Sequence, residues 1–424
     1  MKILIVGHAC GPGLGSEPAN TWNWSWHLSR TNRVWVVAHP EYKDRVDRFL
    51  EAEPNANIKF IWITVDSPFD RWVPGGGQEK GIRFHYWLWL NRAYEQAAAL
   101  HKEVQFDLVH HVSWSTIAIS PPFWKLPVRS VWGPVGGGQF FPVALISLLR
   151  QKRMKEGVRS LYVHSLRFSP RLRKSLASAG IVLATNFDTR TLLKRAGARN
   201  VELFLDCGVN ERITAPAARS TGEQVTLLWA GRIEPIKGLV VALRALAECN
   251  HRQPRLLVAG CGSDQSKMER LTRSLGLTSR VEFLGRIPHE DMPALFQRCD
   301  AFLFTSLRDS FGSVVLEAMA HGLPIVTLNH QGMRAFVPED ASIKVPVKTP
   351  KQIIRDFAVA IEALVSNPDF LRKMSEAAHA FANQQTWTHR AEMMNEIYLD
   401  LVSRSDEKSK NSIRGVTARE SYER

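Results

Sequence analysis

Asp309 and Glu317 stand with seven residues between them in Ser306-Leu-Arg-Asp-Ser-Phe-Gly-Ser-Val-Val-Leu-Glu317. The apolar run Asp300–Phe304 before them reads as a buried strand. Ser310, Phe311 and Gly312 form a short turn, and Ser313 to His321 reads as a helix, ended by Gly322 and Pro324. A second apolar run, Ile325–Leu328, follows. Such a turn points backbone N–H groups from a helix start, where a phosphate is readily held. The two acids can then face one ligand from opposite ends of the turn. The same spacing suits an ordinary crossover with an acid at the helix start and a solvated Glu.

A basic counterpart lies upstream. Gly231-Arg-Ile-Glu-Pro-Ile-Lys-Gly238 follows the strand-like Val225–Ala230. Arg232 and Lys237 bracket a helix start, so a guanidinium, an ammonium and helix amides together would hold a diphosphate. The P-loop pattern is absent. Gly260-Cys-Gly262 makes a further turn that lets backbone come close to a ligand. In the N-terminal half, Gly11, Gly13 and Gly15 are evenly spaced and do not form the dinucleotide fingerprint. With Gly133 and Gly136–Gly138 they read as loops lining a cleft. His110 and His111 end a strand. Neighbours on a strand point to opposite faces, so at most one of them lines a given site; a buried, hydrogen-bonded histidine is the alternative for either.

These residues need a scaffold, and the hydrophobic pattern supplies one. Ile3–Val6, Val34–Ala38, Ile58–Ile63, Leu108–Val112, Val128–Val131, Ile181–Ala184 and Val201–Leu205 read as strands with helical stretches between several of them. A second series comprises Val225–Ala230, Arg255–Ala259, Val281–Leu284, Asp300–Phe304, Ile325–Leu328 and Ile343–Val345. Alternation of this kind predicts parallel, doubly wound sheets. The expected fold is α/β, with two Rossmann-like domains facing across a cleft. The first spans 1–212 and the second 213–387, with a linker near Asn210–Gln224. A helix at about 388–403 is expected to pack back on the first domain, and the charged tail 404–424 to be disordered. Residues 66–92 read as an irregular, aromatic insertion that could stack on a sugar, touch lipid headgroups or simply pack.

Composition narrows the function. The 424 residues are 45% apolar and 23% charged, ordinary for a globular protein. No run approaches the roughly 18 apolar residues of a membrane span, and Lys2–Val6 is too short for a signal-peptide core. A cytoplasmic location is the expectation. The five cysteines contain no C-x-x-C pair, which suits reduced thiols rather than disulfides or zinc. A net charge of +14 asks for an anionic partner. Much of it falls between Lys152 and Lys174, among Leu161, Tyr162, Val163 and Phe168. Such a segment can lie on an anionic membrane or form a solvated helix pair. Nucleic acid is favoured by charge alone, with no zinc-finger or RNA-recognition pattern beside it.

Four stretches together resemble the family 4 glycosyltransferases, retaining enzymes of GT-B architecture: Ala230–Gly238, Val258–Gly262, Phe283–Gly285, and Asp309–Glu317 with Ala318–Pro324. Their order and spacing match over about 225–390. The resemblance implies a nucleotide-diphosphate sugar as donor and a polysaccharide, oligosaccharide or lipid-linked acceptor. Arg232 and Lys237 would grip the diphosphate, with Gly15, Gly231, Gly260, Gly262, Ser310, Phe311, Gly312 and Val314 lining the donor. Glu317 would bind the ribose, and Asp309 would meet the transferred sugar, in the place of the first acid of the family's E-x7-E motif. Asp is one methylene shorter, which moves the charge by about 1.5 Å. The family's D-x-x-H-x-H appears as Asp107-Leu-Val-His-His-Val112, which makes His110 and His111 candidates on the sugar side. No D-x-D pair is present, so neither metal nor other cofactor is expected. Two other readings use the same architecture: a nucleotide-sugar epimerase or hydrolase, and a non-catalytic nucleotide-sugar-binding protein.

Overall fold

The structure, a computed structural model, describes residues 1–65, 82–112, 114, 116–210, 224–249 and 253–420. Seven parallel strands form the first sheet, in the order β3-β2-β1-β4-β5-β6-β7. They are β1 (Lys2–Val6), β2 (Arg33–Ala38), β3 (Ile58–Trp62), β4 (Leu108–His111), β5 (Arg129–Val135), β6 (Ile181–Ala184) and β7 (Val201–Leu203). Six parallel strands form the second, in the order β10-β9-β8-β11-β12-β13. These are β8 (Thr226–Ala230), β9 (Arg255–Ala259), β10 (Val281–Gly285), β11 (Ala301–Phe304), β12 (Ile325–Leu328) and β13 (Ser342–Val345). Every expected strand is present, and the fold is the two-domain α/β GT-B arrangement. In each sheet the strand order reverses beside the first strand of the domain, which opens a crevice at the carboxyl ends.

Period two sends alternate residues to opposite faces, and both faces are covered. Leu4 and Val6 pack with Tyr86, Trp89 and Leu90, while Ile3 and Ile5 pack with Trp24 and Tyr398. Residues 66–81 of the aromatic stretch lie outside the described residues. From Ile82 the stretch is helical rather than irregular, within Ile82–Val104. The reason lies in its spacing: Tyr86, Trp89, Leu90, Ala93 and Ala97 recur at helical intervals and are buried.

The chain crosses between domains twice. Phe204–Asn210 leaves β7, and residues 211–223, where the linker was expected, lie outside the described residues. The return passes alongside: Val209 N donates to Gln385 O at 2.9 Å, and Trp387 N donates to Val209 O at 2.9 Å. The helix Trp387–Glu420 follows, and its first turns rest on the first domain. Trp387 meets Trp24 edge-on at 5.2 Å, Asn32 donates to Asn395 at 3.0 Å, and Arg390 donates to the Leu205 carbonyl at 2.6 Å. That helix runs through 404–420, where disorder was expected. The segment lacks proline and holds five Lys and Arg and two Glu, which tolerate a helix well.

The two histidines of β4 take the buried, hydrogen-bonded alternative rather than the sugar-side one. Both are buried in the first domain. His110 Nδ1 lies 2.5 Å from the Tyr398 hydroxyl and its Nε2 lies 2.6 Å from the Gly133 carbonyl oxygen, so both ring nitrogens are committed. His111 Nε2 meets the Tyr86 hydroxyl at 3.0 Å. The strand does point them to opposite faces, but a helix covers each face, and neither is offered to a ligand. Burial pushes His110 down to about 4 and His111 to about 3. The unfolded chain takes up these protons near pH 6.5, which the folded chain refuses until far lower. Stability therefore falls as pH drops from about 6.5 towards 4. NMR of the imidazoles should show neither ring titrating between pH 7.5 and 5, while the urea midpoint declines over the same range. A ring that titrates near 6.5 would return that histidine to an accessible position.

Candidate functional site

The site is built where β8 and β11, neighbours in the second sheet, end. Leu307 N donates to Ile236 O at 2.8 Å, and Thr305 Oγ1 donates to Lys237 O at 3.1 Å. The basic turn after β8 is thereby laid on the chain leaving β11. That contact brings Lys237 Nζ to 2.5 Å from Asp309 Oδ2, with both side chains largely buried. Ser306 Oγ donates to the same carboxylate oxygen at 3.2 Å, and Asp309 Oδ1 accepts from Ser310 N at 3.0 Å. The acid of the turn is thus charge-paired and hydrogen-bonded within the chain. Arg232 is placed differently. Its guanidinium is exposed and bonds Glu234 at 3.2 Å.

The helix Ser313–Ala320 starts directly after Gly312. Phe311 is fully buried, with its ring edge-on to Phe336 at 6.0 Å, so only its backbone can serve a ligand. Val314 is half-buried against the core. Glu317 lies one turn into the helix, and His289 Nε2 lies 3.7 Å from its Oε1. The Glu317 carboxylate holds the half-exposed imidazole above its ordinary value, with burial opposing. Gly15 of the first domain passes His289 closely: a Cβ on that glycine would lie 3.5 Å from the ring. The first glycine-rich loop therefore meets the acid helix through His289.

Gly231, Gly260 and Gly262 gather at the ends of β8 and β9. A Cβ on Gly260 would lie 1.9 Å from Gly231 O, and one on Gly262 would lie 2.5 Å from Ile233 O. The close approach these glycines permit is first of all backbone on backbone, which holds the two turns together. Across the cleft, Gly136 of the second glycine-rich loop abuts Ser310: a Cβ there would lie 2.1 Å from Ser310 Oγ.

The geometry thus gathers Lys237, Asp309, Ser310, the amides of Phe311 and Gly312, and Glu317 at one edge of the cleft. It leaves Arg232 at the rim and removes His110 and His111 to the core. Sequence reasoning passed over His289, Gln331 and Asp206. Gln331 Oε1 accepts from Asp309 N at 2.7 Å. Asp206 follows β7 at the crossing. Desolvation pushes its carboxyl up to about 6, its own backbone N–H and Arg390 pull it down, and the Asp309 charge adds to the rise. Its place just past a strand's carboxyl end was the one signal available. Among the described residues, no group of three or more His, Cys, Asp or Glu side chains could hold a metal ion.

Known proteins share this pattern. Residues 212–381 match the family described as glycosyl transferases group 1. The D-inositol 3-phosphate glycosyltransferase of Corynebacterium diphtheriae is 32% identical over 217 residues, 48% of this chain and 49% of that one. That of Nocardia farcinica is 33% identical over 187 residues, 42% of this chain and 40% of its own length. The chain spans about half the length of these relatives or less. Among solved structures, Anabaena HepE in complex with UDP superposes with a TM-score of 0.64 and 17% identity, over 94% of this chain and all of that one. Sucrose-phosphate synthase from Thermosynechococcus elongatus reaches 0.66 with 18% identity, over 95% and 99%. Identity at this level shows a shared fold. Residues 212–381 therefore carry the glycosyl transferases group 1 pattern, on the two-domain fold that those structures have.

Proposed function

We propose that this protein is a retaining glycosyltransferase of family 4, moving a sugar from a nucleotide diphosphate to a polysaccharide, oligosaccharide or lipid-linked acceptor. The observation that carries the reading is the acid turn Asp309–Glu317 set against Lys237 within the matched residues. The diphosphate would enter between the turn's amides and Lys237 and draw the ammonium away from Asp309. Arg232, at the rim, would swing in from Glu234 to close over it. These charges face the atoms on which negative charge develops as the sugar–phosphate bond breaks, where electrostatic help is worth most. They take the part that a divalent cation plays elsewhere, so the reaction needs no metal. Freed from Lys237, the Asp309 carboxylate would meet the sugar, and Glu317 would accept from the ribose hydroxyls. The acceptor hydroxyl would approach the face that the phosphate leaves, and a phosphate oxygen would take its proton.

HepE binds UDP, which makes uridine diphosphate the first ligand to try. A thermal-shift screen of UDP, GDP, ADP and their sugars should give one stabilising base. With the matching sugar nucleotide, Lys237→Ala should lower kcat/KM by on the order of a hundredfold or more, and EDTA should leave turnover intact. Unimpaired binding and turnover in Arg232→Ala and Lys237→Ala would exclude this mechanism. Consumption of donor with no acceptor added would favour an epimerase or hydrolase.

The acceptor side has a surface suited to the inner, anionic face of a membrane. Between Leu108 and Phe187 the chain holds eleven lysines and arginines against one acid, Glu156, which is buried. On the helix Arg153–Ser165, Met154, Val158 and Leu161 recur on one face and are 84%, 69% and 71% exposed. Nearby, Arg83 lies over Tyr162, Arg171 over Trp87 and Arg167 over Phe168. Exposed apolar side chains among cations suit a bilayer better than nucleic acid, which offers no apolar phase. The protein should float with phosphatidylglycerol-containing vesicles and not with pure phosphatidylcholine. Leu161→Glu should weaken that partitioning by roughly tenfold or more. Equal recovery of both proteins with the anionic vesicles would leave charge alone as the cause.

A further inference from the structure

The acid turn belongs to the second sheet, yet the first domain holds it at three points. The side chain of Gln331 spans the cleft. Its Oε1 accepts from Asp309 N at 2.7 Å and its Nε2 donates to Phe140 O at 2.9 Å. Gln331 is nearly buried and has a φ of +49°. A side-chain-bearing residue keeps that conformation only where its surroundings hold it.

Arg308, the residue before Asp309, supplies the second tie. It reaches Glu156 on the helix Arg153–Ser165, with Nε 3.0 Å from Oε1 and a terminal nitrogen 3.4 Å from Oε2. Glu156 also accepts from Arg159 at 3.3 Å, and Arg159 donates onward to the carbonyls of Gly137 and Gln139 at 3.2 and 3.1 Å. The third tie is Gln139 Nε2, which donates to Ser310 Oγ at 3.3 Å. One loop, 136–140, and one buried acid thus grip Arg308, Asp309 and Ser310 in succession.

We propose that Gln331 and the Glu156–Arg308 pair are positioning residues that make the placement of Asp309 depend on domain closure. Drawing the loop 136–140 and the helix Arg153–Ser165 away from the turn breaks the bonds to Phe140, Glu156 and Gln139 together. Gln331 then loses the anchor that holds its amide under Asp309 N, and Arg308 loses its carboxylate. The turn is free to rearrange, and its acid no longer stands where a sugar would need it. The consequence for turnover rests on the glycosyl-transfer reading. It would assemble the sugar-facing acid only when the acceptor-side loop is in place, which limits loss of the donor to water. The structural part stands without that reading.

Hydrogen exchange on the full chain separates the two. Glu156→Gln changes only the first domain, yet exchange in peptides covering 307–312 should quicken by about fivefold or more. Protection of the helix Leu239–Glu248 in the second domain should be unchanged. Unaltered exchange at 307–312 overturns the proposal. If Glu156→Gln loosens Leu239–Glu248 as well, Arg308→Lys decides by the same measurement, since it keeps the charge and loses the fork that grips Glu156. On a sugar nucleotide that the native chain consumes, Gln331→Leu should lower kcat by about tenfold or more and leave the donor KM within about twofold. A raised KM with kcat intact would make Gln331 a binding residue and overturn its positioning role. If no sugar nucleotide is consumed, the glycosyl-transfer reading fails while exchange at 307–312 still judges the tie between domains.

Discussion

The ion pair between Lys237 and Asp309 joins two chain segments that the sheet by itself only sets side by side. Each partner has lost most of its contact with water, so each charge depends on the other for compensation. This constrains what can enter. A monovalent anion offers Lys237 little that Asp309 does not already provide. A diphosphate carries more charge and also meets the amides at the start of the helix Ser313–Ala320, so it can compete for the ammonium. The exchange would leave Asp309 without its cation just where a sugar carrying developing positive charge would lie. On the proposed reading, Lys237 and Asp309, which pair with each other, would be complementary to two parts of one substrate.

The domains that carry this pair are joined by two crossings lying side by side and by a long helix that returns to the first domain. Arg390 shows what this junction needs. Its guanidinium is buried, donates to Leu205 O and lies 4.0 Å from the centre of the Phe204 ring, close to Asp206. Removing the side chain would leave a carbonyl and a carboxyl without their donor or counter-charge, a cost that falls on the hinge itself. Under the closure proposed above, the crossings would stay paired while the contacts at 136–140 form and part.

The framework was legible because parallel strands buried on both faces read as short, unbroken apolar runs. The positions of Lys237, Asp309 and Glu317 were legible for a related reason: each stands at a fixed distance from the end of such a run. The histidines of β4 show where that reasoning stops. Period two correctly sets His110 and His111 on opposite faces. Which side chains cover those faces depends on Tyr398 and Tyr86, which come from helices at other places in the chain. Gln331 and His289 were missed for the same reason, since their partners lie 22 and 28 positions away across different turns. Glycine-rich turns carried a subtler ambiguity. Glycine signals that something comes close, and at Gly260 that neighbour is Gly231 of the adjoining turn.

Glu156 shows how a single residue can be explained by two demands at once. In a stretch with eleven cations, a lone acid at the surface would be lost among them and would weaken attraction to an anionic partner. Buried against Arg159 and Arg308, it compensates guanidiniums inside instead of standing among the surface cations. Burial also explains why one carboxylate can do this. Away from water its interactions with both arginines are strong, and Arg159 also donates to the carbonyls of Gly137 and Gln139. The helix Arg153–Ser165 consequently has two chemically distinct faces. The outer one is apolar and cationic, and the inner one ends in the carboxylate that holds Arg308 beside Asp309. Whatever displaces that helix along its length must also act on the turn that carries the acid.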